Sequence, residues 1–185
     1  MIKNIYKTSL SLLTDLYQLT MAYGYWKKGI HNNIASFNVF FRENPFSSGY
    51  AVSSGLENII SFLENFKFSK SDLAYLKSLK TDNGSNLFSR EFIDFLSRIK
   101  FECDVYAIEE GRVIFAKEPV IRINGPIYQC QLIESAILNI FNFNSLIATK
   151  ASRIAHVSNG DPILEFGLRR AQGIDGALSA SRSSY

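Results

Sequence analysis

Cysteine is scarce in this chain of 185 residues: Cys103 and Cys130 are the only two, with no CxxC and no histidine at metal-ligand spacing beside them. A zinc site cannot be assembled from such a pair. The thiols read as reduced core residues of an intracellular protein. Histidine is as sparse. His31 falls in a polar loop with Asn32 and Asn33, and His156 at a helix end, where the macrodipole favours it. Neither sits in a nucleophile–base arrangement. Basic runs are missing too, since Lys27-Lys28 and Arg169-Arg170 are the only basic pairs and the net charge is +3. A nucleic-acid partner, which calls for Lys and Arg gathered on one face, is therefore not expected. Residues 1–11 lack the apolar stretch of a signal peptide. No segment approaches the roughly 20 apolar residues of a membrane span. The expectation is a soluble, cytoplasmic protein with no membrane partner.

What is present is material for a core. Apolar residues make up 46% and charged residues 20%, with 15 Phe and 9 Tyr. That balance belongs to a folded globular protein. The length allows one domain, or a small domain and the opening of another.

Periodicity and punctuation place the elements. A helix is predicted over 14–28, with Thr14 as N-cap, Lys27-Lys28 and Gly29 at its end, and a stripe of Leu16, Leu19, Tyr23 and Trp26. Tyr17, Met21 and Gly24 form the neighbouring face. Ala35, Phe37, Val39 and Phe41 alternate with polar neighbours as in a strand with one buried face. Ser54-Gly55-Leu56-Glu57 reads as a capping box opening a helix with Ile59, Ile60, Leu63 and Phe66. Two short helices follow, over 69–79 and 89–99, joined by a polar loop at 81–86. Runs at 104–109, 112–116 and 119–123, punctuated by Gly111 and Pro119, suggest an antiparallel meander. Beyond Gly125-Pro126, one helix is marked by Ile133, Ile137, Ile140 and Phe141 and another by Ile147, Ala151, Ile154 and Ala155. Gly160-Asp161-Pro162 then leads into a strand over 163–166. This order predicts an α/β protein: an α+β domain over 1–125, then the opening of an α/β barrel over 126–185. One strand cannot close a parallel sheet.

The chemistry points to Glu165 through Gly173. A strand ends there, the chain turns at glycines, and Arg169 and Arg170 stand beside Phe166. Loops after parallel strands bind ligands in α/β enzymes. Arginine's planar fork fits a carboxylate or phosphate; a solvated basic turn is the other reading. Arg42, on the polar side of a Phe-rich strand, reads as a phosphate contact or as an edge-strand arginine. Tyr17 reads as a stacking ring or as a core or interface tyrosine. Glu109-Glu110 are no acid–base pair, because adjacent strand residues point to opposite faces.

Two segments resemble nicotinate phosphoribosyltransferases. Thr14-Asp15-Leu16-Tyr17-Gln18-Leu19-Thr20-Met21 with Tyr25-Trp26 is similar to that family's N-terminal signature. Glu165 through Gly173, with Asp175-Gly176, resembles its first barrel strand and loop. Between them Phe40-Phe41-Arg42, Asn44-Pro45-Phe46, Gly55-Leu56-Glu57, Glu110-Gly111, Glu118-Pro119 and Ala148-Thr149-Lys150-Ala151 fall in the family's order.

The resemblance implies an enzyme of NAD salvage that joins nicotinate to phosphoribosyl pyrophosphate. It implies Mg²⁺, ATP hydrolysed through a phosphorylated histidine, an irregular type II phosphoribosyltransferase barrel, and a homodimer. Under it, Tyr17 contacts nicotinate across the dimer interface, Phe166 stacks on the opposite face, Arg169 meets the carboxylate, and Arg42 contacts a phosphate. The phosphohistidine and the glycine-rich phosphate loops are expected beyond Tyr185. No residue here is assigned catalysis or metal binding, and the chain alone is expected to be a fragment without activity. The rival expectations are a nicotinamide- or quinolinate-specific relative, and a truncated remnant that acts as an interaction module.

Overall fold

Asp15 starts the first helix. The computed structural model describes residues 9–185, and α1 spans Leu16–Lys27. The Asp15 amide donates to Gln18 Oε1 at 3.0 Å, closing a capping box. Thr14, the predicted cap, instead donates its hydroxyl to the Gln18 side chain. Leu19 and Ala22 are buried, with Tyr23 and Trp26 packed against the core. Leu16 departs from the predicted stripe and is exposed, because the buried face of α1 turns on Gln18.

The predicted strand appears as β1, Ile34–Val39. It pairs antiparallel with β5, Ile121–Pro126, which also pairs with β3, Asp104–Ala107, giving the sheet order β1-β5-β3. Phe37 and Val105 both face Ile123 in register. The expected meander does not form. β4, Val113–Ile114, leaves its sequence neighbours and pairs with β2, Ala51–Val52. Two backbone bonds extend that ladder, Ser53 N–H to the Arg112 carbonyl and Gly111 N–H to the Ser53 carbonyl. Turning at Gly111 and at Lys117, both at positive φ, takes the chain out of the first sheet and back.

The helices α2 (Leu56–Glu64), α3 (Lys70–Ser78) and α4 (Arg90–Leu96) follow the apolar stripes. Ser69 and Ser89 cap α3 and α4 by accepting from Asp72 N and Phe92 N. Gly55, not Ser54, caps α2, at φ 98°. Phe88, Phe92 and Leu96 are almost fully enclosed, and Tyr23 crosses Phe92 at 4.8 Å between ring centroids.

The two helices predicted after Pro126 are one. α5 runs unbroken through Ile127–Val157, 31 residues, with no glycine or proline inside. Its middle polar residues bond within the helix: Asn144 Nδ2 donates to the Ile140 carbonyl and Thr149 Oγ1 to the Ser145 carbonyl. By length and composition α5 could cross a membrane, contrary to the expectation that no segment comes close. Yet 56% of its most apolar window is buried inside the fold, and it packs against α1, α2, β1, β2 and β5 as a core helix.

The predicted strand over 163–166 is also absent. Residues 161–166 form no regular secondary structure and are exposed, and no strand lies beside them among the described residues. A 3-10 turn at Gly167–Arg170 follows, then α6, Ile174–Ser184, which packs along α5.

Candidate functional site

Tyr17 points outward because its neighbour is locked inward. Gln18 is fully buried, donates to Glu134 Oε2 at 3.1 Å, and accepts from Ser135 Oγ at 2.9 Å. Gln131 also donates to Glu134 Oε2, and Ser135 to Asp15 Oδ2. This network ties α1 to α5 and leaves the Tyr17 ring 52% exposed beside Leu13, Leu16 and Met21. The Glu134 carboxylate, with lesser help from burial and Asp15, holds the Tyr17 hydroxyl above its usual range. The hydroxyl is kept protonated there, and the exposed ring face is available for stacking.

Phe166 is 78% exposed at the start of the 3-10 turn, with Arg169 and Arg170 exposed within it. Arg42 is exposed in the bend after β1. Beyond it Phe46 and Ser47 both adopt positive φ. The Phe46 ring lies 5.2 Å from Lys150 Nζ, and its carbonyl accepts from Arg153. Among the described residues, no hydrogen bond, ion pair or ring contact joins any two of Tyr17, Arg42, Phe166 and Arg169. Within this chain they are four separate, exposed groups. The cations at 42, 169 and 170 have no carboxylate partner among the described residues.

The histidines and cysteines are placed otherwise. His31 lies in the expected loop between α1 and β1, where its ring packs edge-on against Phe95 and Tyr128, with Nδ1 buried and unpartnered among the described residues. His156 is exposed in the last turn of α5. Both thiols are free and buried. The contact with Cys130, then burial, pushes the Cys103 thiol far up.

A polar cluster that sequence reasoning missed lies where α6 meets α2. Arg182 donates from Nη1 to Glu110 Oε1 at 3.1 Å and from Nη2 to Glu110 Oε2 at 2.7 Å, and Nη2 also reaches Glu57 Oε2 at 2.5 Å. Glu110 accepts in addition from the Gly55 amide at 2.6 Å. Burial opposes its ionisation, but the bonds from Arg182 and from the Gly55 and Leu56 amides outweigh it and hold the carboxyl below its usual range. Glu109, as expected, goes the other way, to an exposed pair with Arg112. Beside the cluster, Ser183 Oγ donates to Asn144 Oδ1 and Ser54 Oγ donates to Ser183. A cavity of about 500 Å³ opens here, lined in part by Ser53, Glu110, Ser152, Ile163, Arg182 and Tyr185. The one sequence signal was an arginine alone in a run of Ser, Ala and Gly.

The mixed fold, with a helical face bearing Tyr17 and an arginine loop after a core helix, is that of the phosphoribosyltransferases of the type II kind. It superposes on a nicotinate-nucleotide pyrophosphorylase from Pyrococcus furiosus with a TM-score of 0.71 at 22% identity, over 96% of this chain and 36% of that one. A closer likeness is the crystal structure of human nicotinic acid phosphoribosyltransferase: TM-score 0.83, 39% identity, 94% of this chain and 34% of that one. Residues 12–142 match the nicotinate phosphoribosyltransferase N-terminal domain. A nicotinate phosphoribosyltransferase of Caenorhabditis elegans is 48% identical over 176 residues, 94% of this chain and 31% of the relative. The chain belongs to the nicotinate phosphoribosyltransferase family. It spans about a third of the length of the curated relatives it matches.

Proposed function

We propose that this chain supplies the nicotinate-handling part of a nicotinate phosphoribosyltransferase acting in NAD salvage. In that reaction the pyridine nitrogen of nicotinate forms a bond to C1 of phosphoribosyl pyrophosphate as the bond from C1 to the pyrophosphate oxygen breaks. Nicotinate mononucleotide and pyrophosphate leave, and ATP is hydrolysed alongside. Family membership at up to 48% identity carries the reading. The names of the relatives favour nicotinate over nicotinamide or quinolinate, and an enzyme over a non-catalytic remnant.

The placement of the side chains supports specific roles. Arg169, free of any carboxylate partner among the described residues, is suited to grip the nicotinate carboxylate with its fork. Phe166 offers one aromatic face and Tyr17 the other. These two do not meet within a protomer, so the reading brings Tyr17 from the second protomer of a homodimer. The exposed Leu13, Leu16 and Met21 around it suit such an interface. Arg42 is assigned to a phosphate of phosphoribosyl pyrophosphate. The enzyme would work in the cytosol.

Magnesium takes oxygen ligands, keeps several waters and is held by one or two carboxylates together with substrate phosphates. Among the described residues no three His, Cys, Asp or Glu side chains cluster. They do not by themselves make a magnesium site, and in this reading the ion comes with the phosphates of phosphoribosyl pyrophosphate and ATP. The phosphohistidine is assigned to neither His31 nor His156.

The test is product formation by this chain joined to the remaining length found in its relatives. With nicotinate, phosphoribosyl pyrophosphate, ATP and Mg²⁺, nicotinate mononucleotide should accumulate. Equal turnover of nicotinamide would overturn the acid preference, and no nucleotide from either base would overturn the reading.

A further inference from the structure

The helix α6 packs along α5 with small side chains and little large apolar surface. Its sequence is Ile174-Asp175-Gly176-Ala177-Leu178-Ser179-Ala180-Ser181-Arg182-Ser183-Ser184, and only Ala177 and Ser179 are buried. Ile174 and Leu178, its large apolar residues, are exposed. Ala177, with the partly covered Leu178 and Ala180, is a small apolar contact on which to seat an 11-residue helix. What remains are its polar anchors, all near one end. Arg182 makes a two-pronged bond to Glu110 and a third contact to Glu57, and Ser183 bonds Asn144 and Ser54. The guanidinium and the Glu110 carboxylate are each 27% exposed, so the pair is shielded on most sides. Charge-assisted, bidentate pairs of this kind are the stronger class of hydrogen bond.

The segment just before α6 has still less to hold it. Between residues 162 and 172 the backbone makes only local bonds among the described residues: those within the 3-10 turn, Gly167 N–H to the Glu165 side chain, and Gly173 N–H to the Ala171 carbonyl. None of these reaches another element. Ile163 lies over the cavity that Arg182 and Tyr185 also line, and the 3-10 turn leans on α6. The position of Phe166 and Arg169 therefore follows from where α6 is seated.

We propose that Arg182, clamped by Glu110 and Glu57, is a positioning residue for the loop that presents Phe166 and Arg169. It touches neither side chain. It seats the C-terminal turn of α6, and α6 in turn sets the loop. The nicotinate role of that loop rests on the function proposed above, whereas the mechanical role of Arg182 does not.

The test attaches a nitroxide spin label to the 185-residue chain at Arg170→Cys, and in a second sample at Lys28→Cys on the end of α1. Cys103 and Cys130 are buried and compete little for the label. In R182A the fast-motion component at position 170 should rise several-fold while the label at position 28 is unchanged. R182K, which keeps the charge and loses the fork, should fall between R182A and the parent. If R182A unfolds the chain, shown by both labels loosening together, E110Q takes its place, because it keeps the side-chain volume and removes one partner. A position-170 spectrum identical to the parent's in the folded variant overturns the proposal. Nicotinate affinity is then measured calorimetrically on the same substitutions, without labels, in a protein of full family length. A roughly tenfold loss in the loosened variant, partly recovered in R182K, supports positioning of a substrate loop. Loosening without any change in affinity leaves the clamp in place and overturns the assignment of the loop to nicotinate.

Discussion

Gly55 lies against Asn144 where α2 begins beside α5: a Cβ on Gly55 would sit 3.0 Å from the Asn144 Cβ and 3.1 Å from the Ile140 carbonyl oxygen. The same residue has φ 98°, outside the range that L side chains favour. Gly55→Ala therefore meets backbone strain and crowding together, and should cost about 1–3 kcal/mol. Urea unfolding checks this, and an alanine variant as stable as the parent would show that α2 can shift away freely.

Stability should fall in acid through Glu110. Its carboxyl titrates below the usual range in the folded chain, chiefly because the bonds from Arg182 and the Gly55 amide outweigh burial. A carboxyl with a lowered folded pKa contributes stability above its unfolded value of about 4.3, and that contribution disappears as pH drops through the folded value. Melting temperatures recorded from pH 7 down to pH 3 should show little effect of this group above pH 5 and a loss below about pH 4. Glu110→Gln should flatten that acid limb; an unaltered limb would assign the acid sensitivity elsewhere.

Tyr17 should contribute through its ring. In a dimeric protein of full family length, Tyr17→Phe should keep most of the nicotinate affinity, and Tyr17→Ala should weaken it by the stacking term of about 0.5–1.5 kcal/mol. Calorimetric titration measures both. Unchanged affinity in Tyr17→Ala would return this exposed ring to a role in the interface alone.

Arg169 and Arg170 are both exposed and have no carboxylate partner among the described residues, so mutation must separate them. A charge-assisted contact is worth about 1.5–3 kcal/mol. At about 1.36 kcal/mol per factor of ten, Arg169→Ala should lower kcat/KM for nicotinate on the order of ten- to a hundredfold. Arg169→Lys should recover part of that, since an ammonium keeps the charge without the fork. Arg170→Ala should do less. A crippled Arg170→Ala beside an active Arg169→Ala would exchange their roles, and neutrality of both would remove the loop from the substrate site.

Local signals read well from the sequence alone. Ser69 and Ser89 announced the starts of α3 and α4, because a side-chain oxygen within three residues satisfies the first free amides. The alternation from Ala35 to Phe41 announced β1 and its buried face. The motif around Tyr17 and the loop holding Arg169 announced the family. Each of these depends on residues a few positions apart, within reach of propensity and periodicity.

Tertiary structure decided what local rules cannot carry. β4 pairs with β2, more than 60 residues earlier, because the turns at Gly111 and Lys117 steer it off the first sheet. The apolar stripes marked two helices where α5 is one. It stays helical because Asn144 and Thr149 bond within the helix while Ser145 and Thr149 bond the backbone at Ser54 and Val52. The expected strand at 163–166 is no strand, since a strand exists only with a ladder partner and none lies beside it among the described residues. Glu110 and Arg182 are 72 positions apart, and neither residue's neighbours say which carboxylate the guanidinium will meet. The sequence determined α1 to α4, the first strand and the family, because short-range sterics and capping act within a few residues. The pairing of strands, the continuity of α5 and the seat of α6 were decided by the fold, because a buried polar group is satisfied by whatever partner the packed chain brings to it.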